Sequence, residues 1–192
     1  MTYRVLVFGD THIPTRRDSI PDGFFQYIKD STYDMALITG DLVREVDMRA
    51  ALPPLPRSFT VVGNMDYGSS YNFHEQIQLD DFNLLLLHGT QLRPRGNIEQ
   101  LWDILTQISG DIAIHGHTHK HDIALYKKKL FLNPGTISGA TGGWSGRTDA
   151  SFIELEIKEN ELGVTLHLTD WHVIKQTEMR FLKEKDKIIH HK

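Results

Sequence analysis

Val5-Leu6-Val7-Phe8-Gly9-Asp10-Thr11-His12 carries an apolar run straight into a glycine, a carboxylate and an imidazole. Four consecutive apolar residues read as a short strand buried on both faces, the pattern of a parallel sheet covered by helices. The same arrangement recurs along the chain. Met35-Ala36-Leu37-Ile38 ends at Gly40-Asp41, and Phe59-Thr60-Val61-Val62 ends at Gly63-Asn64. Phe82–Leu87 ends at His88-Gly89, and Asp111–Ile114 ends in His115-Gly116-His117-Thr118-His119. Chemistry-bearing side chains thus follow five separate strands, which one sheet edge could bring together.

Between these segments the periodicity turns helical. Residues 21–30 place Phe24, Phe25 and Ile28 on one side, with Asp18 or Ser19 available as a cap. Residues 43–51 predict a short helix stopped by Pro53-Pro54. Residues 97–109 predict an amphipathic helix with Leu101, Ile104, Leu105 and Ile108 on one face. Elsewhere hairpins dominate: 74–79 with 82–87, then 123–126 with 129–132, then a meander over 151–157, 163–168 and 172–181. Strand–helix alternation followed by hairpins predicts an α/β fold of two β-sheets packed face to face, with helices outside. We expect one domain over residues 1–182 and a charged, frayed tail over 183–192.

Composition narrows the function. The chain has 192 residues, long enough for a substantial core, and a net charge of -4, which argues against a dedicated nucleic-acid binder. A phosphate-bearing substrate stays compatible, because bound metal supplies positive charge. There is no cysteine, so thiolate metal sites and cysteine nucleophiles are excluded. No run reaches the ~18–20 apolar residues of a membrane span. No signal-peptide pattern precedes Val5, and the expected location is the cytoplasm.

Asp10, His12, Asp41, Asn64, His88, His117 and His119 are the candidate metal ligands. Asp10 and His12 are two apart, as are His117 and His119. In extended backbone such residues project to the same side and can grip one ion together. Carboxylate, amide oxygen and imidazole suit hard or borderline divalent cations, and Asp41 could bridge two. Two such ions clamp a phosphate and activate a bridging hydroxide for in-line attack. The glycines before Asp41 and Asn64 are read as permitting sharp turns. Singly, each residue also reads as an ordinary turn, cap or loop residue.

Gly9-Asp10-Thr11-His12, Gly40-Asp41, Gly63-Asn64-Met65-Asp66, His88-Gly89 and Gly116-His117-Thr118-His119 together resemble the calcineurin-like metallophosphoesterases, in order and over the whole chain. The resemblance implies a four-layer α-β-β-α sandwich and two divalent ions (Mn, Zn, Fe, Mg or Ni). It implies Asp10, His12 and His119 on one ion, Asn64, His88 and His117 on the other, and Asp41 between them. It implies phosphodiester hydrolysis in which Asp41, Asn64 and His88 act with a metal-bridging hydroxide.

Within that family, Asp10 to Arg16, Ser19-Ile20-Pro21, Gly89-Thr90-Gln91 with Pro94, Asn133-Pro134-Gly135 and the terminal meander are similar to the branch formed by the small retromer subunit. That branch is regarded as a scaffold whose positions matching Asp41 and Asn64 are altered; both are intact here. It implies a helical-repeat partner protein and peripheral association with endomembranes. Two positions depart from pattern. Many family phosphatases carry a helper histidine where this chain has Met65, which cannot donate a proton. Arg93 replaces an apolar residue in the branch's partner-facing loop.

Other residues receive smaller roles. Asp66 reads as a hydrogen-bond partner behind the ligands or a plain turn residue, and His115 as structural. The glycine-rich stretch 138–147 reads as a solvent loop, with Trp144 and Arg147 as candidate substrate contacts.

Overall fold

The computed structural model describes residues 1–143 and 146–191. Twelve strands among them form two sheets. The first has seven strands: β1 (Tyr3–Phe8), β2 (Met35–Ile38) and β3 (Ser58–Thr60) are parallel, and β9 (Ala150–Lys158), β10 (Glu161–Thr169), β11 (Ile174–Glu184) and β12 (Lys187–His191) add an antiparallel meander. The order across the sheet is β12-β11-β10-β9-β1-β2-β3. The second sheet runs β4 (His74–Leu79), β5 (Phe82–Leu87), β6 (Ile112–Ile114), β8 (Lys129–Pro134) and β7 (His121–Tyr126).

Alternation along β1 divides the core. Val5 and Val7 face the second sheet and meet Leu84, Leu86, Ile112 and Ile114 in the inter-sheet layer. Leu6 and Phe8 face outward, where Phe24 and Ile28 of α1 (Asp22–Asp30) and Met48 of α2 (Glu45–Ala50) cover them. Across the molecule, Leu101 and Leu105 of α3 (Ile98–Gln107) cover Leu85, Leu87 and Phe131. Helices, sheet, sheet and helix form the expected four layers. Leu37 lies in the inter-sheet layer, fully buried; truncating such a residue to alanine costs about 2–5 kcal/mol.

Local chemistry departs from expectation at both ends of the chain. α3 is capped by Asn97, whose side chain accepts from the N–H groups of Glu99 and Gln100. α1 takes no cap from Asp18 or Ser19. Pro21 occupies the cap position without a side-chain hydrogen bond, and Asp22 supplies the charge that favours a helix N-terminus. The stretch read as a frayed tail pairs instead as β12 against β11. Its anchor is Ile188, fully buried in the inter-sheet layer, so apolar burial outweighs the surrounding charge.

Candidate metal centre

The ends of β1, β2, β5 and β6, with the loop after β3, converge at one edge of the sandwich. Asp10, His12, Asp41 and His119 bring ligand atoms within 4.8 Å of one another, and so do Asp41, His88 and His117. Asp41 belongs to both groups. Its Oδ2 lies 3.4 Å from His12 Nε2 and 3.5 Å from His88 Nε2, while its Oδ1 is held by the Met65 N–H at 2.8 Å. Asn64 joins on the second side, its Oδ1 at 3.3 Å from His88 Nε2. All seven residues singled out in the sequence therefore meet here.

The way they meet differs from expectation. Asp10, His12, Asp41, His117 and His119 all have φ between 47° and 70°. These are left-handed conformations, not extended backbone, and a non-glycine residue held there costs on the order of 1 kcal/mol or more. The i, i+2 pairs converge because each ligand sits on a kink, not because strand side chains alternate. The glycines also act differently from one another. Gly40, at φ 95°, makes a true turn. Gly63 is required for its size, since a Cβ there would stand 2.2 Å from Asp41 Oδ1. Gly116 likewise leaves room for Thr39 and Asp10.

Backbone and side-chain contacts hold this strained geometry. Asp66 is the principal brace. Its Oδ2 accepts from the N–H groups of Asp41 and Gly63, both at 2.8 Å, and its Oδ1 from Leu42 at 2.6 Å and Val43 at 2.9 Å. His88 Nδ1 donates to the Thr39 carbonyl at 2.7 Å, and His119 Nδ1 donates to Ala140 at 2.7 Å. Each bond turns the Nε2 atom toward the centre, as carbonyl partners do for ligating histidines. Asn133 donates to the Gly116 carbonyl and to Thr118 Oγ1, steadying the 116–119 loop, and it also meets His115 Nδ1. Thr39 and Ala140 carry no sequence signal for this role, because both act through backbone carbonyls.

Arg16 was also missed. Its guanidinium reaches His12 Nε2 at 3.4 Å and the Thr141 carbonyl at 2.9 Å. Arg147 lies over the Trp171 ring and pairs through its backbone with Ala140, and Trp144 falls outside the described residues.

Protonation follows burial and charge. Burial raises the Asp10 carboxyl, against the pull of His88 and His119. Burial lowers His12 to about 3 and His117 to about 4, leaving neutral imidazoles with free lone pairs. At Asp41, burial pushes upward but the contacts with His88, Met65 N–H and His12 prevail and hold the carboxylate low. At His88, burial pushes downward and the two aspartates prevail, raising it.

The donor set fits divalent cations. Asp10 Oδ1 is buried without a hydrogen-bond partner, and His119 Nε2 stands 3.7 Å from it. His12 and His119 direct Nε2 atoms at each other at 3.2 Å. Buried carboxylate and imidazole atoms gathered this closely form a donor set suited to a divalent cation.

Two mixed sheets flanked by helices, with oxygen and imidazole ligands gathered at strand ends, define a metal-dependent phosphoesterase fold. The profile of the calcineurin-like phosphoesterase superfamily domain matches residues 3–160, and the chain belongs to that superfamily. A protein of Methanothermobacter thermautotrophicus described as "Probable metallophosphoesterase" is 34% identical over 132 residues, covering 68% of this chain and 74% of the relative. Among solved structures, a single-substitution variant of Entamoeba histolytica Vps29 is similar at 32% identity and TM-score 0.85, covering 93% of this chain and 99% of that one. The wild-type Entamoeba protein, solved with Zn²⁺, is 32% identical at TM-score 0.82, covering 92% and 98%.

Proposed function

We propose that this protein binds two divalent metal ions and hydrolyses phosphodiesters. The observation that carries this reading is the position of Asp41 Oδ2, set almost equally between His12 and His88, where each ligand group is completed. Asp10, His12 and His119 would hold one ion and Asn64, His88 and His117 the other, with Asp41 shared. When bound, the ions supply Lewis-acid polarisation of the phosphate and lower the pKa of water.

The chain's own residues do the rest. Asp66 fixes the loop that presents Asp41. Thr39 and Ala140 orient His88 and His119. The Met65 side chain offers no proton, and its backbone N–H serves only to orient Asp41. Leaving-group protonation therefore has no dedicated donor at that position, which favours diesters with good leaving groups.

The test is hydrolysis of bis-p-nitrophenyl phosphate with added Mn²⁺. Asp41→Asn and His88→Ala should each reduce kcat/KM by at least about a hundredfold, the scale of losing electrostatic stabilisation of a transition state. Equal rates in all three proteins would sink the proposal.

A second reading is favoured by the likeness to Vps29, which extends through the terminal meander. In it, the chain is a scaffold subunit that docks a helical-repeat retromer-like partner, in the cytoplasm and peripheral to endomembranes. No helix among the described residues is long and apolar enough to cross a membrane. Under this reading Asp41→Asn leaves partner binding unchanged.

A further inference from the structure

The second ligand group borders a cavity of about 470 Å³ on the α3 side of the second sheet. Asn64 and His88 belong to its wall, so the cavity opens directly onto the proposed metal centre. Beyond them its surface turns apolar. Leu85 and Leu87 of β5, Ile104 and Ile108, and Val62 and Phe73 line it. Phe73 stands at the mouth with 84% of its surface exposed, among the most exposed large apolar side chains described. Gln91 and Gln107 also line the cavity. A concave apolar hollow with a few polar groups, continuous with a reactive centre, has the form of a ligand site.

The chemistry divides sharply across this boundary. On one side are carboxylates, an amide and imidazoles suited to a phosphate on metal; on the other, within the same cavity, aliphatic side chains and an exposed aromatic ring predominate, with His74, Thr90, Gln91 and Gln107 as the polar exceptions. A substrate that satisfies both carries its phosphate at Asn64 and His88 and an apolar group beyond. An exposed aromatic side chain at the entrance favours a flat ring, which it can meet by offset stacking or edge to face. Resting on the phosphoesterase reading above, we infer that the cavity takes a planar aromatic group esterified to the scissile phosphate. The enzyme then selects aryl-type over small alkyl phosphoesters. Phe73, Ile104 and Ile108 act as specificity residues and lie outside the candidate ligand groups.

Phenylphosphonate and methylphosphonate present the same headgroup and differ only in the part that would enter the cavity. Calorimetric titration of each into the Mn²⁺-loaded protein should show phenylphosphonate binding at least about tenfold tighter, the scale set by burying one ring in an apolar pocket. Phe73→Ala, at an exposed position that leaves the core untouched, and Ile108→Gln should each remove most of that preference. Methylphosphonate affinity should stay within about twofold. Equal affinity of the wild-type protein for the two ligands overturns the inference, as does a preference that survives both substitutions. Failure of both ligands to bind also overturns it. The phosphoesterase reading is judged separately by the bis-p-nitrophenyl phosphate assay, so loss of aryl preference with retained, Asp41-dependent turnover removes this proposal alone.

Discussion

The protein buries two polar clusters, one at the strand ends of both sheets and one on the first sheet alone, and they are built on opposite principles. One is the ligand set at the strand ends. The other lies on the outer face of the meander, where Glu154 meets Arg4, Tyr27, Tyr33 and His167. In that second cluster the carboxylate is fully answered. Glu154 Oε1 accepts from Arg4 at 3.1 Å and Tyr33 at 2.7 Å, and Oε2 accepts from Tyr27 at 2.9 Å and from His167. His167 is fully buried, stacks on Phe152, and engages Gln176 through its other nitrogen. In the ligand cluster, Asp10 Oδ1 and His12 Nδ1 have no partner, and two imidazoles face each other. Burial of polar groups is tolerated when their hydrogen bonds close; an arrangement left open within a strained backbone marks a binding site. The closed cluster ties the meander to α1 and β1, and the open one has the donor set that the proposed metal site requires.

This contrast can be broken most forcefully at the closed cluster. Glu154→Ala strands an arginine, two tyrosines and a histidine, and should destabilise the protein by about 3–5 kcal/mol in urea unfolding. A loss below about 1 kcal/mol would show that the network contributes little beyond packing.

Acid should attack the same cluster next. Burial alone would raise the Glu154 pKa, but His167, Tyr33 and Tyr27 outweigh it and lower it from 4.5 to about 2. The folded-state value lies below the unfolded one. The resulting stability is complete above about pH 4.5 and disappears as pH falls toward about 2. Unfolding curves across that window should show this limb in the wild type and a flatter one in Glu154→Gln. Matching slopes would remove Glu154 from the account.

The smallest effect sharpens the open cluster. Mn²⁺ at a hundred times its dissociation constant should stabilise the native state by about 2.7 kcal/mol, seen as a rise in Tm. Chelation should reverse the rise, and Asp41→Asn should shrink it, while Glu154→Gln should leave it unchanged. A Tm insensitive to metal would mean that the unpartnered atoms of the ligand set are not waiting for an ion.

Much of the architecture was legible because buried strands declare themselves locally. Val5–Phe8, Met35–Ile38 and Phe82–Leu87 are apolar runs that could be little else, and each is followed by a ligand. The helix over 98–107 was legible for the same reason, with Asn97 in place to cap it. What was not legible lies in contacts between distant residues. Asp66 reads equally well as a turn residue until the fold brings four backbone N–H groups from two loops onto its carboxylate. Glu154 is an ordinary strand residue until Tyr27 and Tyr33 arrive from 127 and 121 positions away. Charge over 183–192 concealed Ile188, whose burial depends on the neighbouring sheet.

The sequence by itself determined the donor chemistry on offer: seven candidate oxygen and imidazole ligands at the ends of five strand-like runs, and no thiolates. Hydrophobic period and side-chain chemistry are local properties, carried by the residues themselves. Only the tertiary structure decided how those ligands converge, on left-handed kinks braced by Asp66 and by the carbonyls of Thr39 and Ala140. It alone set an apolar cavity against Asn64 and His88. Backbone strain and cavity shape belong to the packed whole, because each is maintained by atoms far apart in the chain.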